Sequence, residues 1–224
     1  MQIPYRFWLT RVGEHATPHQ IENLRAAVKY LEIGRILRQL GYRMEPRFRN
    51  KEDLFDLVGR EVVGRDVLYL EFGVYQGKST RYWSKMLKHP ASKLHGFDSF
   101  EGLPETWTDS MTRGHFSTAG AIPSIDDPRV RFFKGWFDQT LLDYQVPEHE
   151  VLVLNLDADL YSSTKCVFDH MAPYIVPGTY LYFDEFNDPA NELRAFQEFA
   201  SACNLKIDLR GATNSLQNVL FQVR

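Results

Sequence analysis

Cysteine is scarce: Cys166 and Cys203 are the only two in 224 residues. Both fall in helical patterns without metal-site spacing. That excludes a disulfide framework and a cysteine zinc site, and predicts buried free thiols in a reducing setting. Long apolar runs are absent too. The opening MQIPYRFWLTRVG holds no signal-peptide core and no membrane span, which sets the expectation of a cytoplasmic protein with no membrane association. An excess of one charge is also lacking, with 26 Lys and Arg against 29 Asp and Glu. A net charge of −3 argues against nucleic acid or an anionic membrane as the main partner. There is no internal repeat or low-complexity tract. What is present is a 44% hydrophobic chain sized for one α/β domain with an accessory segment.

The stretch VLYLEFGVYQGKST, residues 67–80, organises the chain. A short buried strand, Val67 to Leu70, runs into Glu71, Gly73 and Gly77, with Ser79 and Thr80 as possible helix caps before the helical RYWSKMLKH. Glycines at a strand-to-helix turn let the backbone pass close to a nucleotide-like ligand. The spacing Glu-x-Gly-x-x-x-Gly is not the dinucleotide fingerprint G-x-G-x-x-G. A carboxylate at the strand end repels a pyrophosphate and attracts a cationic amino-acid ligand. S-adenosylmethionine, with a sulfonium, an ammonium and no phosphate, fits that description. An ordinary strand–turn–helix is the alternative.

Upstream, Thr17 and Pro18 suit an N-cap and first helical position. Ile21, Leu24, Val28 and Leu31 then share a helical face, continued by Ile36, Leu37 and Leu40. A second helix starts at Asn50. These helices form an appendage over residues 1–65, read as packing on a sheet edge, with a dimer surface or a lid as alternatives. The domain proper spans 66–224. Leu94 to Phe97 is the second strand, ending in Asp98, where an acid can accept both hydrogen bonds of a ribose diol; a plain turn residue is the other reading. The irregular stretch 104–128 is read as a substrate-facing loop. His115 within it is a base, a substrate contact or simply exposed. After the third strand, Val130 to Phe133, come Gly135, Trp136 and Phe137, an adenine slot or core. The central strand, EVLVLNL, ends in Asp157 and Asp159; the fifth, Tyr180 to Phe183, ends in Asp184 and Glu185. Acids at adjacent strand ends hold a cation or share a proton, and helix capping accounts for at most one or two of them. A helix over 189–203 and an antiparallel pair, 205–209 and 219–223, close the chain.

The segments LEFGVYQGKST, GFDSFEGLPETW, FFKGWFDQTL, LNLDADLYSST and YFDEF together resemble class I S-adenosylmethionine-dependent methyltransferases, and within them the macrocin O-methyltransferase-like family. The resemblance implies an α/β, Rossmann-like fold: a seven-stranded, mostly parallel sheet with one antiparallel strand, helices on both faces and the N-terminal helical appendage. It implies that Glu71, Gly73 and Gly77 hold the methionine part of the cofactor, Asp98 and Ser99 the ribose, and Gly135 and Trp136 the adenine. In metal-using relatives the strand-four acid and an acidic pair after strand five bind Mg²⁺; here these are Asp157, Asp184 and Glu185, with Asp-Glu in place of Asp-Asp. The implied reaction is O-methylation of a hydroxyl on a sugar, natural product or glycan. Asp157 is the first candidate for base or metal ligand, followed by Asp159 and His115. A catalytically silent cofactor-binding scaffold and an NAD(P)-dependent oxidoreductase are the rival readings. Homo-oligomerisation through the N-terminal helices is a further expectation.

Overall fold

The computed structural model describes residues 5–39, 41–42 and 46–224. Contacts divide the chain into two units, residues 1–41 and 42–224.

The first unit holds α1 (Tyr5–Gly13) and α2 (Pro18–Gln39). Thr17 caps α2 reciprocally with Gln20: the Thr17 amide donates to Gln20 Oε1 at 2.8 Å, and the Gln20 amide donates to Thr17 Oγ1. Leu24, Val28 and Leu31 form the helical stripe that the spacing predicts, and all three are exposed. Leu40 lies outside the described residues.

The second unit begins with a two-residue strand, β1 (Arg47–Phe48), and α3 (Lys51–Glu61). It continues with β2 (Val67–Phe72), α4 (Lys78–Met86), β3 (Lys93–Asp98), β4 (Val130–Lys134), α5 (Phe137–Thr140) and β5 (Val151–Leu156). Then come α6 (Tyr161–Met171), β6 (Tyr180–Phe183), α7 (Glu192–Ala202), β7 (Ile207–Thr213) and β8 (Val219–Val223). The sheet order is β1-β7-β8-β6-β5-β2-β3-β4, and β8 is antiparallel to both its neighbours. One reversed strand is as expected, but there are eight strands rather than seven. The extra one is β1, parallel to β7 and too short to show any period in sequence.

β2 and β5 are buried at every position, as central parallel strands should be. On one face, Phe55 of α3 and Trp83 of α4 pack against Tyr69 and Tyr182, with the Tyr69 and Trp83 rings stacked at 4.8 Å. On the other, Phe168 of α6 stacks on Phe199 of α7 at 4.3 Å, and Phe196 packs against Phe183 and Phe221. Each buried ring of this size contributes roughly 1.5–3 kcal/mol. The cysteines depart from expectation: both are free, but Cys203 is exposed and Cys166 only half-buried. Cys203 sits at the C-cap of α7.

Chain order reverses direction between β2 and β5. From β2 the sheet grows through β3 to β4 on one side, and through β5 to β6 on the other. In open α/β sheets, ligands bind beyond the carboxyl ends of the strands at such a point.

Candidate active site

One backbone hydrogen bond past each strand end extends the ladder and fixes the rim of the site. Gly73 N–H donates to Phe97 O, Gly135 N–H to Asp98 O, Asp157 N–H to Phe72 O and Asp184 N–H to Leu156 O, all within 2.9–3.0 Å. Gly73 therefore sits beside Asp157 at the switch point. It has φ +94°, and a Cβ there would collide with the Asp157 carbonyl, so glycine is required on two counts. Asp98 closes the turn from the β3 side. Its Oδ2 accepts the amides of Val74 (2.8 Å) and Tyr75 (2.7 Å), and its Oδ1 accepts that of Phe100 (2.6 Å). A carboxylate offers about four lone-pair sites, so these three amides leave acceptor capacity for a ligand.

A cavity of about 750 Å³ opens over this rim, within the range of small-molecule sites. Gly73, Asp98, Ser99, Gly135, Trp136 and Phe137 line it from the β2–β4 side, and Asp157, Asp159, Asp184 and Glu185 from the β5–β6 side. The loop after β3 supplies Trp107, Met111, Arg113 and Phe116. That loop is fastened by Trp107 Nε1–H to Asp188 Oδ2 (3.1 Å) and by the Ser162 hydroxyl to Glu105 Oε1 (2.6 Å).

The acids do not share one environment. Asp159 is a non-glycine residue at φ +59°, a conformation that the surroundings must impose. They do so through Glu192, fully buried at the start of α7. Its Oε1 accepts the amides of Ala158 and Asp159, and its Oε2 accepts that of Glu185 at 3.0 Å. Asn191 Oδ1 adds a bond from the Tyr161 amide, 2.9 Å, so the start of α7 pins both acidic loops. Burial, then repulsion from Glu185 and Asp184, pushes the Asp159 carboxyl up to about 7. Burial and the neighbouring Asp184 raise Asp157 well above the usual carboxylate range, against the pull of Lys51. Asp184 Oδ1 accepts three donors: Lys51 Nζ at 3.1 Å, the Tyr182 hydroxyl at 2.9 Å and Asn218 Nδ2 at 2.9 Å. Glu185 Oε1 accepts Gln217 Nε2 at 2.7 Å.

The sequence profile described as Macrocin-O-methyltransferase (TylF) matches residues 8–215. The chain belongs to this family. Over 141 residues it is 29% identical to the 8-demethyl-8-(2,3-dimethoxy-alpha-L-rhamnosyl)-tetracenomycin-C 4'-O-methyltransferase of Streptomyces olivaceus, covering 52% of each protein. Over 166 residues it is 27% identical to the mycinamicin III 3''-O-methyltransferase of Micromonospora griseorubida, covering 64% of each. The chain thus spans between about half and two-thirds of these relatives' lengths. Among solved structures, the calicheamicin methyltransferase CalS11 superposes with a TM-score of 0.59 at 19% identity, covering 99% of this chain and 86% of that one. The O-methyltransferase NovP gives 0.55 at 22% identity, covering 75% of each. At these identities the likeness establishes a shared methyltransferase fold.

Within this TylF-family fold, most of the residues singled out from sequence line one cavity: Gly73, Asp98, Ser99, Gly135, Trp136, Asp157, Asp159, Asp184 and Glu185. Three do not. Glu71 is buried beneath the rim, where its carboxyl accepts the hydroxyls of Thr80 and Tyr69 and so ties β2 to α4. Gly77, at φ +71°, starts α4 and faces Pro123. His115 is exposed on the loop, edge-on to Phe116 at 4.4 Å. Sequence reasoning missed Glu192 and Lys51. A glutamate in a first helical turn reads as a partner of the helix dipole, and a lysine after an N-cap reads as surface, so neither carried a signal.

Proposed function

We propose that this protein binds S-adenosylmethionine in the cavity and transfers its methyl group to a hydroxyl of a sugar, a glycan or another small natural product. The observation that carries the reading is that, in a TylF-family chain, a glycine turn closed by Asp98 meets the acids of β5 and β6 around one cavity. The bound cofactor would supply an electrophilic methyl on its sulfonium. The chain's residues bind, orient and take a proton. Gly73 lets the cofactor approach the backbone, Asp98 and Ser99 receive the ribose, and Gly135 with Trp136 and Phe137 offers a flat apolar surface to the adenine. In-line displacement needs the acceptor oxygen aligned and its proton removed. Asp159 is assigned as the base, because it lines the cavity, is held in one conformation by Glu192, and is pushed by burial up to about 7, toward the range that suits proton transfer at neutral pH. Asp157, beside it, orients the hydroxyl. His115, exposed on the loop, is left as a contact for a large acceptor.

Magnesium assistance does not fit the donors as they stand. Of the three implied ligands, Asp184 is already paired with the Lys51 ammonium through Oδ1, which also accepts Tyr182 and Asn218, and Glu185 Oε1 is turned to Gln217. Among the described residues, no group of three His, Cys, Asp or Glu is arranged to hold a metal ion.

The oxidoreductase reading is disfavoured by the missing third glycine of the dinucleotide turn. The silent-scaffold reading leaves the strained Asp159 and its buried clamp without a purpose. A cytoplasmic protein without a nucleic-acid partner, self-associating through the exposed stripe of α2, completes the proposal. Among the described residues, no helix is long and apolar enough to cross a membrane. A thermal-shift screen with S-adenosylmethionine, S-adenosylhomocysteine, NAD and NADP, each with and without Mg²⁺, tests the core of it. Stabilisation by the first two, independent of Mg²⁺, is expected. Stabilisation by NAD alone overturns it.

A further inference from the structure

Lys51 is the first residue of α3, directly after its N-cap, Asn50. β1 places it. The Arg47 guanidinium donates to Thr213 O at 2.9 Å, and a Cβ on Gly211 would press on the Phe48 ring, so the chain is locked to β7 two residues before Asn50. From there the Lys51 side chain reaches across the sheet end to Asp184 Oδ1, 3.1 Å away. The pair is largely withdrawn from water, with side-chain exposures of 31% for Lys51 and 13% for Asp184. Lys51 does not line the cavity, whereas Asp184 and Asp157 do. The ammonium therefore meets the acids from the α3 side of the sheet. It also acts electrostatically on Asp157 and on Glu71.

We propose that Lys51 is a built-in cation for the acids at the ends of β5 and β6, supplying from behind the cavity the positive charge that a divalent ion would otherwise bring, and that Asp184 is a structural carboxylate rather than a metal ligand. Three observations converge on this. The lysine is fixed by a strand and a helix cap instead of lying free on the surface. The Asp184 oxygen that it meets is filled by two further donors, Tyr182 and Asn218. Glu185, the other implied ligand, accepts a hydrogen bond from Gln217 in the turn before β8. Mg²⁺ demands near-octahedral oxygen ligands and gives up its waters reluctantly, and here an ammonium 3.1 Å from Asp184 Oδ1 already offsets the negative charge that would draw the ion, with that oxygen also taken by Tyr182 and Asn218. Removing one partner of a withdrawn ion pair leaves an uncompensated charge, and a small divalent ion is the natural replacement once the ammonium is gone. The consequence for methyl transfer rests on the function proposed above; the ion-binding claim does not.

The test is Mn²⁺ binding by the full chain, followed by electron paramagnetic resonance, with wild type, Lys51→Arg and Lys51→Ala compared. The thermal midpoint of each is also measured with and without MgCl₂. Wild type and Lys51→Arg are expected to bind no Mn²⁺ at millimolar concentrations and to show a midpoint indifferent to Mg²⁺. Lys51→Ala is expected to have a lower midpoint, to bind one Mn²⁺ and to regain stability with Mg²⁺, as binding to the folded state requires. A wild-type protein that binds one Mn²⁺ overturns the inference and needs no variant to do so. A folded Lys51→Ala that neither binds Mn²⁺ nor responds to Mg²⁺ overturns it as well. S-adenosylhomocysteine is added to the same wild-type samples as a separate readout. Loss of that response with the metal results intact removes the methyltransferase reading and leaves Lys51 as the cation.

Discussion

Gly73 and the carbonyl of Asp157 touch across the switch point of the sheet, so closely that no side chain fits between them. The turn after β2 and the acids after β5 are thereby one structure. Gly73→Ala is predicted to destabilise the fold as well as the site. The positive φ alone costs about 1–3 kcal/mol, and the collision with backbone adds to that. Urea denaturation checks it; a variant within about 0.5 kcal/mol of wild type contradicts the close approach.

Asp98 has two tasks, and its substitution should reveal both. Asp98→Asn keeps the shape but replaces an acceptor oxygen by a donor facing backbone amides. Charge-assisted hydrogen bonds are worth about 1.5–3 kcal/mol each, so S-adenosylhomocysteine affinity should fall roughly 10- to 100-fold and the thermal midpoint should drop too. Calorimetry and a melting curve on the same sample are sufficient. Unchanged affinity in a folded variant would reduce Asp98 to a turn residue.

Glu71 gives a pH dependence of known sign. Burial, outweighing the hydrogen bonds from Thr80 and Tyr69, pushes its pKa up to about 8. Between the unfolded value of about 4.3 and that folded value, the native chain holds a proton that the unfolded chain has released. This contribution is fully present below the window and is lost as pH rises through it, with a limiting slope of about 1.4 kcal/mol per pH unit. Glu71→Gln should flatten the fall. Urea stability at pH 5.5 and pH 8 for both proteins decides, and parallel curves contradict the assignment.

Asp159→Asn is predicted to retain cofactor binding and lower turnover by about 10²–10⁴-fold, the usual contribution of a general base. Asp157→Asn should lower turnover less, through misalignment. Single-turnover assays with an accepted sugar substrate separate the two. Full activity in Asp159→Asn combined with an inactive Asp157→Asn would exchange their roles.

The part of the site legible in sequence is the part written in short segments. Asp98 ends its strand, while Gly73, Gly135, Asp157 and Asp184 each come directly after theirs, and a parallel sheet brings all such ends to one side. What was illegible depends on distant pairing. Lys51 and Asp184 are 133 residues apart, and Glu192 meets the amides of Ala158 and Asp159 across 34 and 33 residues. No local pattern announces either. Glu71 shows the converse. Its place at a strand end was plain, but its side chain shares the face of Tyr69, two residues earlier, and so turns under the helices instead of into the cavity. The α2 stripe was equally plain as a helix face, yet its spacing did not tell that Leu24, Val28 and Leu31 would be exposed.

The most direct test of the central claim is isothermal titration of the purified chain with S-adenosylhomocysteine in the presence of EDTA. One site with a low-micromolar Kd, about −8 kcal/mol, is predicted, unaltered when MgCl₂ replaces the chelator. No heat with S-adenosylhomocysteine, in a folded protein that binds NAD under the same conditions, would contradict it.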